Sequence, residues 1–140
     1  ELLNYLGEVA SFHDGEIISL ELNRNSASHL KIHTWSVKLV DRKLDWKSAK
    51  HAIVNFKLEQ ILDLQLGGFS IQTVIGGLMI ERVLPSSERK NFISADDQNS
   101  KDFELAMEPC YGMDGRIRCK AISISFEKKI PPDSIYAKLT

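Results

Sequence analysis

Near the start of the chain, in the stretch SFHDGEIISLELNR from Ser11 to Arg24, a polar turn runs directly into an alternating segment. Glu16, Ile18, Leu20, Leu22 and Arg24 fall on one face, and Ile17, Ser19, Glu21 and Asn23 on the other. A period of two is that of a half-buried β-strand, whose successive side chains point to opposite faces. The face expected to be buried is that of Ile18, Leu20 and Leu22. His13-Asp14-Gly15 in front of it reads as a turn, because Asp bonds its own backbone two residues on and Gly accepts positive φ at no steric cost.

The rest of the chain repeats strand signals and leaves little room for helices. Glu1 to Ala10 places Leu2, Leu3, Leu6 and Val9 at helical spacing and predicts one short amphipathic helix. His29 to Val40 alternates with a change of phase near Thr34, which predicts a strand that is covered on both sides or bulged, paired with the first as a hairpin. Asp41 to Lys50 is polar and basic around Trp46 and reads as a long connection. Ala52, Val54, Phe56 and Leu58 share a parity with Leu62, Leu64 and Leu66 beyond a break at Gln60, and the usual strand length of about five or six residues favours two strands there. Gly67-Gly68 ends this run, and Gly76-Gly77 marks a bulge in the strand from Val74 to Val83. Leu84 to Ser100 has the composition of a poorly ordered loop, with Phe92 and Ile93 as possible anchors. Asp102 to Glu108 points Phe103, Leu105 and Met107 inward. A hairpin loop at 109–115 leads into a last strand, Gly115 to Glu127, whose inward set passes from Ile117, Cys119 and Ala121 to Ile122, Ile124 and Phe126. Pro131-Pro132 ends the sheet. The expected fold is mainly β, a single domain over residues 1–140: an antiparallel sandwich or partly closed barrel of about seven or eight strands with a short N-terminal helix.

The bulk composition restricts partners more than it suggests them. Lys plus Arg is 18 and Asp plus Glu 19, so no overall field draws the molecule onto nucleic acid or an anionic membrane. Apolar runs such as Val74 to Ile80 fall far short of the roughly 20 residues of a membrane helix. Neither nucleic acid nor a membrane is therefore an expected partner, and any electrostatic choice of partner is local. Cys110 and Cys119 are expected to be unbridged: with Cys110 in the hairpin loop and Cys119 about four residues along the strand, they stand about 13 Å apart, beyond the roughly 7 Å reach of a disulfide. Two free thiols suit a reducing cytoplasm.

Residues that could carry chemistry are few. His13-Asp14, with Glu16 nearby, offers a metal or acid–base pair or the corner of a small ligand site, but His13 has no second His at i+2 or i+4, and the turn already accounts for Asp14-Gly15. His29, His33 and His51 are expected on sheet faces or at the surface. No Gly-rich phosphate loop, HExxH or GxSxG is present. The chain is expected to be no enzyme and to hold no cofactor and no metal.

Charge, in contrast, is unevenly placed. Between Ala95 and Asp114 six acidic residues (Asp96, Asp97, Asp102, Glu104, Glu108 and Asp114) face one Lys101, whereas Arg116 to Lys129 holds five basic residues against Glu127. One reading is a solvated loop beside a strand with a basic outer face. The other is an acidic rim for a basic partner, formed by Asp96, Asp97, Glu104, Glu108, Tyr111 and Asp114. Trp46 is a candidate anchor, and Trp35 is expected in the core.

Taken together, SFHDGEIISLELNR, the middle run AIVNFKLEQILDLQLGGF and the terminal FELAMEPCYGMDGRIRCKAISISF resemble the immunity protein 50 family of bacterial polymorphic toxin systems. The blocks keep their order over residues 11–126, and where family members tend to read His-Asp-Ala this chain has His13-Asp14-Gly15. The resemblance implies a cytoplasmic protein that binds a cognate toxin domain and blocks it without catalysis. It carries over no catalytic residue.

Overall fold

The computed structural model describes residues 1–7 and 12–138, with the side chains at positions 96, 135 and 136 outside the description. Residues 8–11, and with them Val9 of the expected helix, lie outside the described residues. Helix α1 spans Leu2–Leu6, and the strands are β1 Gly15–Glu21, β2 Ser28–Val40, β3 Lys43–Gly67, β4 Val74–Val83, β5 Asp102–Tyr111 and β6 Asp114–Glu127. Two single-turn helices, α2 Ser87–Lys90 and α3 Ala95–Gln98, lie between β4 and β5, and a 3₁₀ turn covers Ile135–Lys138. All strand pairs are antiparallel and close a barrel in the order β1-β2-β3-β6-β5-β4. The mainly-β expectation holds as a barrel and not a sandwich, with six strands in place of seven or eight.

The strand count is lower because β3 absorbs two expected elements. The polar segment from Asp41 to Lys50 is not a connection: the chain reverses at Asp41-Arg42, with φ of 50° and 62°. Positive φ at both central residues is what a two-residue hairpin turn of matching twist requires. Leu39↔Leu44 and Val40↔Lys43 then pair across the turn. Since β1 follows β2 only to His33 and β6 meets β3 only from Ile53, the hairpin beyond them is a two-stranded ribbon, and Leu39, Val40 and Leu44 on it are exposed. The expected break at Gln60 is a local irregularity with φ 52° inside one long strand.

Leu30, Ile32, Val54, Phe56, Leu58, Ile75, Leu105, Ile117 and Cys119 are at most 1% exposed and form the barrel interior. Burying each large aliphatic or aromatic side chain contributes about 1.5–3 kcal/mol. In β1 the expected inward face is corrected. Ile18 and Leu22 are 40% and 49% exposed, and Ile17 and Leu20 are the residues packed on the core. The pairing with β2 shifts between Ile17 and Ser19, and one extra residue in a strand turns all that follow to the other face. β2 is in step at Thr34, where both His33 and Thr34 are buried, and shifts between Ser36 and Lys38.

Other expectations hold locally. Phe103, Leu105 and Met107 point to the core, and pairing shifts around Ile75 and Gly77 as the glycine pair suggests. The inward set of β6 passes from Ile117 and Cys119 to Ile122 and Phe126, while Ile124 is 53% exposed. The segment from Leu84 to Ser100, expected as a loose loop, carries α2 and α3, where Ser86 Oγ accepts the Arg89 N–H and Ser94 Oγ the Asp97 N–H. Such caps satisfy N–H groups that a helix start leaves without partners. Phe92 does not anchor it, being 84% exposed.

Candidate functional site

The segregated charges of the sequence meet in the barrel wall. β5 lies beside β6 with Glu104 directly opposite Arg118, and Arg118 Nε donates to Glu104 Oε2 at 2.5 Å. Asp102, fully buried, takes Lys120 Nζ at 2.9 Å on one oxygen and Arg89 Nη1 of α2 on the other. Two residues of the acidic block, Asp102 and Glu104, are therefore paired with two of the basic block, Lys120 and Arg118, across neighbouring strands. Glu104, expected on a partner-facing rim, is 7% exposed and committed to this internal pair.

The remaining rim residues do not form one patch. Asp97 is exposed on α3 and accepts the Ser94 hydroxyl at 2.9 Å, and the side chain of Asp96 lies outside the described residues. Glu108 and Tyr111 are exposed at the far end of β5, and Asp114 is half-buried opposite Gly67. Six residues of strand, 102–107, separate Glu108 from the α3 side of β5, a run of roughly 20 Å.

At that far end two turns lock together. A Cβ on Gly68 would stand 2.5 Å from the Gly112 carbonyl oxygen, and one on Gly112 would stand 2.6 Å from that of Gln72. Both positions have positive φ, 70° and 85°, so only glycine allows the backbones this approach. Thr73 Oγ1 donates to the Ser70 carbonyl at 3.1 Å, and Tyr111 pairs with Val74. The outcome is an exposed apolar group: Phe69 is 79% and Tyr111 61% exposed, and Ile71 is entirely open. Ile71 continues into a cleft of about 440 Å³ lined also by Asp14, Glu16, Thr73, Asp133 and Ser134. Carboxylates thus share the cleft with Ile71, and exposed apolar surface rimmed by polar residues marks interaction sites.

Behind the cleft lies a buried hydrogen-bonded chain that the sequence reading missed. Ser134 Oγ donates to Glu16 Oε2 at 2.9 Å, the same oxygen meets His33 Nδ1 at 2.7 Å, and His33 Nε2 meets His51 Nδ1 at 3.0 Å. His33 and His51 are 0% and 5% exposed, so of the two expected places they take a sheet face and not the surface. The two imidazoles stack at 5.2 Å, and half-buried Trp35 lies against both. Burial, then the neighbouring His33, pushes the His51 pKa down from its ordinary value, with Glu16 opposing. In the neutral assignment that fits these partners, His51 Nδ1–H donates to His33 Nε2 and His33 Nδ1–H to Glu16. The sequence signal was thin, because only the β2–β3 register, which sets His51 opposite Trp35, brings the two histidines together.

The pair considered for a metal or small ligand sits outside this chain. His13 Nδ1 lies 3.0 Å from Asp14 Oδ2, with side chains 68% and 50% exposed. The turn is as expected, closed by the Gly15 N–H to the Phe12 carbonyl at 2.9 Å, although Asp14 and not Gly15 takes the positive φ of 62°. Among the described residues no group of three or more His, Cys, Asp or Glu is arranged to hold a metal ion. Both cysteines are free, Cys110 exposed and Cys119 buried. No helix among the described residues is long and apolar enough to cross a membrane.

No protein-family model, curated protein or solved structure matches this chain.

Proposed function

We propose that this protein is a cytoplasmic immunity protein that binds and blocks a cognate bacterial toxin domain, the role implied by its resemblance to the immunity protein 50 family. The observation that supports the reading is the exposure of Phe69, Ile71 and Tyr111 around the interlocked Gly68 and Gly112 turns, with Asp14 and Asp133 in the cleft that Ile71 lines. Aromatic side chains at the centre of an interface carry most of its binding energy, and charges around them steer encounter. Many toxins act on nucleic acid and so present basic clefts, to which an apolar centre beside a carboxylate-lined cleft is complementary. Of the residues first considered for the interface, this assigns Glu108, Tyr111 and Asp114 to contact and leaves Glu104 to the barrel wall.

The test is to express the product of the gene immediately upstream, measure its affinity for this protein, and repeat with two variants. Phe69→Ala with Tyr111→Ala is expected to weaken binding by at least about 30-fold, the size of a 2 kcal/mol contact. Glu108→Gln with Asp114→Asn is expected to slow association and flatten its salt dependence. Parental affinity in the aromatic variant would place the interface elsewhere, and an upstream product that does not bind would remove the immunity reading.

A further inference from the structure

A second cleft, of about 460 Å³, opens on the outer face of the barrel, between β3, β6 and the crossover that carries α2. Arg89, Arg116 and Arg118 line it, with Phe92, Asp63 and Glu88. Arg116 and Arg118 are two residues apart on β6 and so leave the sheet on one face, and Arg89 reaches the same space from α2. Two of the three are fixed from below: Arg118 by Glu104 and Arg89 by Asp102. A guanidinium has five N–H donors in a rigid fork, so one bond to a buried carboxylate orients the group and leaves other donors for the cleft. Arg116 Nε is steadied by Gln65 Oε1 at 2.9 Å, and among the described residues no carboxylate forms an ion pair with Arg116.

Lys120 shares Asp102 with Arg89, so two buried carboxylates are answered by three cations before Arg116 is counted. The floor of the cleft is cationic. Asp63 and Glu88 on its walls oppose a bare polyanion but accept hydrogen bonds from hydroxyl groups. Phe92, 84% exposed, offers an open ring face at the edge. The volume lies within the roughly 300–1,000 Å³ of small-ligand sites.

We propose that this cleft binds a small phosphate ester with hydroxyl groups and a ring, the chemistry of a nucleoside monophosphate. Its phosphate rests on Arg116 and Arg118, where forked donors match phosphate oxygens. Its hydroxyls face Asp63 and Glu88, and its ring lies on Phe92, where stacking on aromatic side chains tolerates any base.

The experiment titrates the full chain by calorimetry at low salt with adenosine monophosphate, adenosine and inorganic phosphate in separate arms. Saturable one-to-one binding of the monophosphate, at least tenfold tighter than either fragment, is expected. Arg116→Gln, at an exposed position, should weaken it at least tenfold with an unchanged circular dichroism spectrum. Phe92→Ala should weaken the monophosphate and leave inorganic phosphate as before. The proposal is overturned by no saturable binding of the monophosphate, by inorganic phosphate binding equally well, or by an Arg116→Gln affinity equal to the parent's.

Discussion

Replacing Asp102 with Asn removes one charge from the barrel wall at almost constant shape. The parent carboxylate is fully buried, while the side chains of its partners Arg89 and Lys120 keep 16% and 30% of their exposure. Deleting one member of a buried pair costs about 3–5 kcal/mol, because it leaves charge without compensation. Both cations retain a route to water, which favours the lower end, about 3 kcal/mol. For a chain of this size about 1 kcal/mol moves the melting temperature by about 3–4 °C, so a fall of about 10 °C is expected. Urea unfolding of the parent, Asp102→Asn, Lys120→Met and the double variant gives the coupling energy directly. It should exceed about 1 kcal/mol, whereas the same cycle on Lys57 and Glu59, whose side chains are 45% and 49% exposed, should stay within about 0.5 kcal/mol. A cost below about 1 kcal/mol for Asp102→Asn, or equal coupling in the two cycles, would refute the view that Asp102 and its cations serve each other.

Three further outcomes are expected. The Cys119 thiol is pushed up to about 11, mainly by burial, so at pH 8 a thiol reagent should titrate only Cys110 in the folded protein and both cysteines in denaturant; rapid reaction of two thiols without denaturant would contradict the burial. His51 is held below its ordinary pKa of 6.5, so the unfolded chain takes up a proton that the fold resists, and the stability present above pH 6.5 is lost as pH falls below it, by at most about 1.4 kcal/mol per pH unit for one proton. Urea midpoints between pH 7.5 and 5 should show this slope reduced in His51→Asn, and an unchanged slope would reject it. Gly115 has φ 125°, and a Cβ there would lie 2.0 Å from the Gln65 carbonyl oxygen, so Gly115→Ala should cost about 3 kcal/mol or more in a thermal melt; a loss under about 1 kcal/mol would mean that the β3–β6 approach is not tight.

Period-two patterning made the strands legible because each buries one face, and it placed Leu30, Ile32, Val54, Phe56, Leu105 and Ile117 without difficulty. It failed where one residue is inserted: nothing in EIISLE marks the bulge after Ile17, so Ile18 was read inward in place of Ile17, while Leu20 beyond the bulge was read correctly. The Asp41-Arg42 turn was hidden because Arg seldom takes positive φ, and the ribbon around it is too polar to resemble a strand. At the candidate site, Glu108, Tyr111 and Asp114 were visible as loop-end polar residues. Phe69 and Ile71 looked like ordinary loop content, since their exposure depends on how Gly68 and Gly112 pass one another. The partners of Asp102 and Glu104 could not be read at all, because opposition of β5 to β6 is a matter of register, and charge along a sequence says nothing about what stands across the sheet.

The long β3 strand has a consequence for how the protein is made. Its first neighbour, β2, precedes it, but its second, β6, follows: Ile53 waits for Glu127, 74 positions later. At 5–20 residues per second that interval is about 4–15 s on the ribosome. Until Asp114 is made, 47 positions after Gly67, the whole edge of β3 from Ile53 to Gly67 has no intended partner, and such an edge recruits any strand that passes. The β1–β4 seam, only two residue pairs wide, contributes little to holding the growing sheet in a productive curl. Newly made chains are therefore most prone to pair with one another during this window, and slower translation after Gly67 would lengthen it.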